Sequence, residues 1–278
     1  MSLRIATNLP SINAQRSFSK SQSEMDLAYS QLSSGSRITK ASDDAAGLTI
    51  SENLKSRVRG YNAAKRNAED ATSLMQVAEG GLNEIGNILV RMRELGVQAA
   101  SDTIGDTERS FIDKEVQQLK LEIDRISEVT KWGNTQLLNG TGETFEFQID
   151  IGNDDFQDRI SFRAEDIKAD TGTLEVSGFD FSDQDQARGA LTVIEQAQVT
   201  INNYRSNIGA LQNRMSSTQS NLDVAIENLS GANSRIRDTD IAAATANLSK
   251  NNILLNASTS VLAQANQSSQ LALSLLRT

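Results

Sequence analysis

Asp43-Asp44 is the first place in this chain where residue types alone could do chemistry. Two adjacent carboxylates can share a proton or help hold a cation. Placed just ahead of an apolar-periodic stretch, they read instead as helix caps, accepting from free backbone N–H groups. A second acidic cluster, NDDFQD (153–158), has the charge of a calcium loop. It lacks the spaced ligands and closing glutamate of an EF-hand, so it reads as a solvated turn. A third cluster, KSRVRGYNAAKR (55–66), brings Lys55, Arg57, Arg59, Lys65 and Arg66 together. In a chain of net charge −9, it reads as a solvated helix face rather than a nucleic-acid surface.

The chain has neither histidine nor cysteine. A Ser-His-Asp hydrolase, a histidine-based zinc protease and thiolate metal sites are therefore excluded. No cofactor, metal site or catalytic residue is expected. Asn-x-Ser/Thr sequons at Asn139, Asn228, Asn247, Asn256 and Asn266 fall mostly within helical pattern and read as accidental. No apolar run approaches the roughly 18 residues that a bilayer span requires. The opening MSLRIATNLPSINAQRSF has no continuous apolar core of a secretory signal, so neither membrane insertion nor that export route is expected.

With so little catalytic chemistry, the elements carry the argument. Aromatics make up 4 % of the 278 residues and there is one proline, Pro10. A core built of Leu, Ile, Val and Ala, amid good helix formers, predicts long helices. From Ala64 a seam runs through Ala68, Ala71, Met75, Ala78, Leu82, Ile85, Leu89, Met92, Gly96 and Ala99. Its steps alternate four and three, as in a coiled-coil stripe. Upstream, Ser51, Leu54, Val58 and Tyr61 join it through an extra three-step, a stammer. A shorter helix presents Ile112, Val116, Leu119, Ile123 and Ile126.

The period then drops to two in TFEFQIDIG (144–152) and RISFRAED (159–166), after turn chemistry at NGTG (139–142). A small antiparallel β patch over about 137–176 follows from this. A second unbroken seam runs from Ile194 through Ile201, Ile208, Met215, Leu222 and Leu229 to Ile236. A final helix begins near Asp238–Asp240. The fold class is mainly α: a long antiparallel coiled-coil bundle, going out and returning, with a β-hairpin patch at its centre. Both chain ends then belong to one terminal hairpin (1–42 and 236–278), flanked by a domain of long helices (43–235).

Specific stretches carry a family resemblance. LSSGSRITKASDDAAGLTISENLKSRVRG (32–60), LVRMRELGVQAA (89–100), LEIDRIS (121–127) and LLNG (137–140) resemble the N-terminal part of bacterial flagellins. SRIRDTDIAAATANLSKNNILLNASTSVLAQANQSSQLALSLLR resembles their C-terminal part. The resemblance implies a structural subunit that polymerises into the extracellular flagellar filament used for swimming. It also implies type III export, and as partners other copies of itself, an export chaperone, the filament cap and the hook-junction proteins. The short middle implies core and rod domains without large outer domains. A hook–filament junction protein or another coiled-coil assembly protein is the alternative; the LAQANQ ending and the SSG…DDAAGL segment favour the filament subunit.

The apolar residues of the two ends are the expected self-assembly surface: Leu3, Ile5, Leu9, Ile12, Phe18, Leu27 and Leu32, with Leu254, Val261, Leu262, Leu271, Leu275 and Leu276. Arg91, Leu95 and Glu115 match positions that face the vertebrate innate receptor in related flagellins; here the subunit interface is their expected primary role. Val90 stands where glutamine is often found. Two further departures from the family concern backbone. Trp132-Gly133-Asn134 swaps the last two residues of the usual turn, which predicts a turn that survives with altered type. Gly81 and Gly96 replace the usual alanine, each at a cost of roughly 1 kcal/mol in helix propensity.

Overall fold

A computed structural model describes the backbone of residues 7–275 and the side chains as far as Gln267. Among the described residues, helices α1 (Leu9–Ser34), α2 (Ala45–Ala99) and α3 (Asp106–Val129) come first. Four short strands follow: β1 (Lys131–Trp132), β2 (Thr135–Gln136), β3 (Thr144–Gln148) and β4 (Arg159–Arg163). After a single 3-10 turn (Ala164–Asp166) the chain closes with helices α4 (Gln184–Arg237) and α5 (Ile241–Leu275). The chain divides into two compact units, Arg57–Glu227 and the residues on either side of it. The division falls inside α2 and α4 rather than at the caps that bound them.

Within Arg57–Glu227, the α2 seam is closed to water along its whole length. Every member from Ala64 to Ala99 is buried, and those from Ala68 to Met92 have no exposed surface. Its counterpart on α4 buries Ile194, Ala197, Ile201, Ile208, Met215 and Leu222. Polar pairs flank the seam at heptad intervals. Gln219 donates to Thr72 Oγ1, Gln212 to Glu79 Oε2 at 3.0 Å, and Arg93 to Gln198 Oε1. A step of seven or fourteen residues up α2 matches the same step down α4, which is the register of an antiparallel coiled coil. α3 covers a further side, with Ile112, Val116, Ile123 and Ile126 inside and Leu119 half-buried.

The central segment packs into this core. Leu137, Leu138, Ile149, Ile160, Phe162, Ile167, Leu174, Val176 and Phe181 are all buried in one cluster with the helix seams. β3 and β4 pair antiparallel, Phe145 opposite Phe162 and Phe147 opposite Ile160. On β4 the alternation puts Ile160 and Phe162 inside and Ser161 and Arg163 outside, as period two requires. β1 and β2 close a two-residue hairpin across Gly133-Asn134. Gly133 has φ 59, while Glu175 is the only described non-glycine residue with positive φ. A left-handed first position followed by an ordinary second one is the type II′ pattern, which wants glycine first. The swapped residues thus make a hairpin turn with the glycine in its first position.

Three side chains on one face of α3 hold the end of the central segment. Asp124 accepts from the Thr171 N–H at 2.8 Å and its hydroxyl at 3.0 Å. The buried Lys120 donates to the carbonyls of Ser177 and Phe179 and lies 4.4 Å from the Phe179 ring centre. Asp113 accepts from the Phe181 N–H at 2.9 Å. Burial pushes the Lys120 ammonium below its ordinary pKa, with the charges of Asp113 and Asp180 opposing that shift. A second buried cation, Arg109, finishes α2. Its Nε donates to the Ala99 carbonyl at 2.9 Å and its Nη2 to Ser101 at 3.0 Å, satisfying acceptors that the helix end leaves open.

The adjacent glycines of α2 have opposite surroundings. A Cβ on Gly80 would meet nothing within 4 Å. One on Gly81 would stand 2.7 Å from both Leu138 Cδ1 and Thr130 Oγ1. Leu138 is fully buried and the Thr130 hydroxyl is bonded to the Ile126 carbonyl at 2.8 Å, so neither yields easily. Gly80→Ala is expected to raise stability by about 0.5–1 kcal/mol through helix propensity. Gly81→Ala is expected to lower it by about 1–3 kcal/mol through overpacking. Urea unfolding of the two variants, read by circular dichroism, checks the opposite signs.

Candidate self-assembly interface

The second unit holds the two chain ends. α1 starts at Asn8, whose side chain accepts from the Ser11 N–H at 3.1 Å, with Pro10 in the first turn where a missing N–H costs nothing. It stops at Gly35, in the left-handed conformation with φ 68. α5 starts at Asp240, which accepts from the N–H groups of Ala242 and Ala243 at 2.9 and 3.1 Å. Asp44 does the same for α2, accepting from Gly47 at 2.8 Å. Asp43 does not cap. Its Oδ2 closes the preceding turn, accepting from the Thr39 N–H and hydroxyl and the Lys40 N–H at 2.9–3.0 Å. Those bonds, led by the Lys40 N–H and the Thr39 hydroxyl, hold its pKa below the ordinary carboxylate value.

α1 and α5 pack antiparallel and are pinned at both ends. Asn8 Nδ2 donates to the Ala265 carbonyl at 2.9 Å and the Ser11 hydroxyl to Asn266 Oδ1 at 3.2 Å. At the other end Thr239 N–H donates to the Gly35 carbonyl at 3.0 Å, and the Arg37 guanidinium to the Ile236 carbonyl at 2.8 Å. Between them lies a seam that mixes small residues with larger apolar ones. On α1 the inward positions are Ser11, Ala14, Phe18, Ser21, Met25, Ala28 and Leu32; on α5 they are Ala244, Leu248, Asn251, Leu255, Ser258, Leu262 and Ala265. Both series alternate three and four, a heptad in which Ala and Ser fill half of the positions and Phe18, Met25 and four leucines most of the others.

This seam leaves most of the larger apolar side chains outside. Leu9, Ile12, Leu27 and Tyr29 on α1 and Ile241, Ile253, Leu254 and Val261 on α5 are all more than 40 % exposed. Ile253 reaches 70 %. A groove of about 380 Å³ beside the seam is lined by Pro10, Ala14, Leu254, Ala257 and Val261, among others. α5 carries a single charged residue, Lys250, over its 35 residues. Surface helices normally carry charge on their outer face, whereas this one exposes apolar side chains there.

The residues expected at the interface therefore separate into groups. Leu9, Ile12, Leu27, Leu254 and Val261 form the outer face, whereas Phe18, Leu32 and Leu262 are half-buried in the seam. Leu3, Ile5 and Leu276 lie outside the described residues, as do the side chains of Leu271 and Leu275. Tyr29, Ile241 and Ile253 join the outer face; they were recognisable only once the small residues were read as the seam.

Arg91 and Glu115 meet across α2 and α3, Arg91 Nε donating to Glu115 Oε1 at 2.9 Å, with Glu94 at 3.1 Å. The hydrogen bond to Glu115, then that to Glu94, raises the Arg91 pKa. Leu95 does not share this surface: it is 3 % exposed and belongs to the core beneath it. The acids of 153–158 are occupied locally, Asp154 Oδ1 accepting from Phe156 and Gln157 and Asp158 Oδ2 from Asp154.

Paired long helices with an unfinished apolar face at the chain ends define a self-associating structural protein. Comparison with known proteins places it more closely: the chain belongs to the bacterial flagellin family. Residues 5–143 match the bacterial flagellin N-terminal helical region and 191–276 the C-terminal helical region. It is 40 % identical to a flagellin of Halalkalibacterium halodurans over 97 % of this chain and 98 % of that one. It is 38 % identical to the flagellin of Bacillus subtilis, over 99 % and 100 %. Of solved structures, Bacillus cereus flagellin matches with 33 % identity and a TM-score of 0.50, over 56 % of this chain and 88 % of that one. A putative flagellar hook-associated protein from Vibrio parahaemolyticus shares the fold alone, at 14 % identity, a TM-score of 0.60, and coverage of 70 % and 100 %. Architecture by itself thus does not separate a filament subunit from a hook-associated protein; the near-full-length flagellin identity does.

Proposed function

We infer that this chain is the structural subunit of a bacterial flagellar filament, assembling through its paired ends. The observation that carries the reading is the row of exposed Leu, Ile and Val on a terminal hairpin whose α5 arm has Lys250 as its one charged residue. Burying such surface against other copies stabilises the polymer by roughly 25 cal/mol per Å² of apolar area. Residues 1–42 and 236–278 serve as the filament core, and 43–235 as the rod domain around it. The filament is extracellular, and the subunit acts by assembly rather than catalysis. Its further partners are an export chaperone, the filament cap and the hook-junction proteins. Of the receptor-facing set, Arg91 and Glu115 remain available to a vertebrate flagellin receptor, as an incidental use of an assembly surface.

Seeded growth tests this reading. Purified chain added to short filament seeds is expected to extend them, as seen by electron microscopy. Deleting the residues after Ala257 removes Val261 and the Asn8 and Ser11 contacts at the open end. It is expected to abolish growth while the Arg57–Glu227 unit keeps its helical signal. Undiminished growth after that deletion would refute the assembly role of the terminus.

A further inference from the structure

One member of the hairpin seam is neither small nor apolar. Asn251 is 4 % exposed, at a position where the heptad puts Leu248 and Leu255 on either side, and its Oδ1 has no hydrogen-bond partner. The pinned ends, Asn8 to Ala265 and Gly35 to Thr239, place it about level with Ser21–Met25 of α1. The amide side chain at that level, Gln22, donates instead to Asp26 on its own helix at 3.0 Å. A buried acceptor without a donor opposes the packing that buries it. A polar residue at a core heptad position is also a recognised way of giving up stability for control over association.

We propose that Asn251 restrains assembly: it keeps the isolated α1/α5 hairpin weak, so that ordering the ends is deferred until other copies supply further contacts. The proposal rests on the reading of these ends as the assembling surface. The ordered hairpin carries the same unpaired amide in the subunit and in the polymer. Removing the amide therefore favours both over the subunit with unpaired ends. Its effects are a hairpin ordered before assembly and less dependence on seeds.

The test uses the full chain as unmodified protein, Asn251→Leu and Asn251→Ala. Alanine removes the amide without adding bulk, so it covers the case in which leucine packs badly. Backbone amide exchange at Ala14, Ala28 and Ala244 of the unassembled subunit is expected to slow by roughly tenfold to a hundredfold in the variants. Ordered filaments are expected without seeds, at concentrations where the unmodified chain only extends them. Unchanged exchange in both variants overturns the proposal, as does slowed exchange with unaltered seed dependence, or amorphous aggregate in place of filaments. Failure of the unmodified chain to extend seeds would instead count against the filament reading itself.

Discussion

Replacing Ile253, Leu254 and Val261 together by serine is expected to raise the concentration needed for filament growth by about a hundredfold to a thousandfold. The three are 70 %, 42 % and 55 % exposed in the single subunit. Full burial of such a side chain stabilises by about 1.5–3 kcal/mol, and roughly half of each is still available to be covered. The three together then contribute about 3–4 kcal/mol to each subunit added, and every 1.4 kcal/mol is a factor of ten. None of the three lies among the buried positions of the α1/α5 seam, so the hairpin's own packing is spared. Sedimentation of assembled protein across a dilution series measures the critical concentration. Circular dichroism of the unassembled variant should match the unmodified chain through the Arg57–Glu227 unit. A critical concentration within about threefold of the original would show that this face is not where copies meet.

How far the sequence could be read depended on side-chain size and on how many partners each helix has. Along α2 and α4 the seam residues are mostly large enough to register as a pattern, and the buried set follows that pattern from Ala64 onward. Leu95 shows its limit. It lies one residue before Gly96, which the alternation of threes and fours selects, and it is buried all the same. α2 meets α4 through Arg93 and Glu195 and α3 through Arg91 and Glu115, so its buried arc is wider than one stripe. Leu74 beside Met75 is the same case.

In the terminal hairpin the large apolar residues mislead about which face turns inward. The most buried inner positions include Ser11, Ala14, Ser21, Ala28 and Ala244, which carry little hydrophobic signal, while the large apolar residues divide between the seam (Phe18, Leu255, Leu262) and the outer face (Ile12, Leu27, Val261). Asp43 and Asp44 are alike in sequence, and only the turn between Thr39 and Asp43 separates their roles. The row Asp113, Lys120 and Asp124 had no pattern to betray it. Its partners are backbone groups of residues 171–181, distant in sequence and without side-chain identity.

That same region gives the largest expected loss of subunit stability. Phe181 has no exposed surface, stacks on Phe179 with ring centres 5.4 Å apart, and is tied to α3 through its own N–H and Asp113. Its ring also approaches α2: a Cβ on Gly96 would stand 3.2 Å from Phe181 Cζ and 3.0 Å from Leu191 Cδ2. Phe181→Ala therefore opens a cavity where α2, α3 and the approach to α4 converge, and is expected to cost about 3–5 kcal/mol. A lowered urea midpoint with an unchanged slope measures it. Gly96 supplies the internal control. On the unmodified background Gly96→Ala gains helix propensity of about 1 kcal/mol but crowds Phe181 and Leu191, so the two effects nearly cancel. With the ring gone, the added methyl enters vacated space and only Leu191 must adjust. Gly96→Ala should then recover about 1 kcal/mol, and the cycle of four proteins should show coupling of the same order. Strict additivity between the two changes would mean that the ring and the glycine do not share that space.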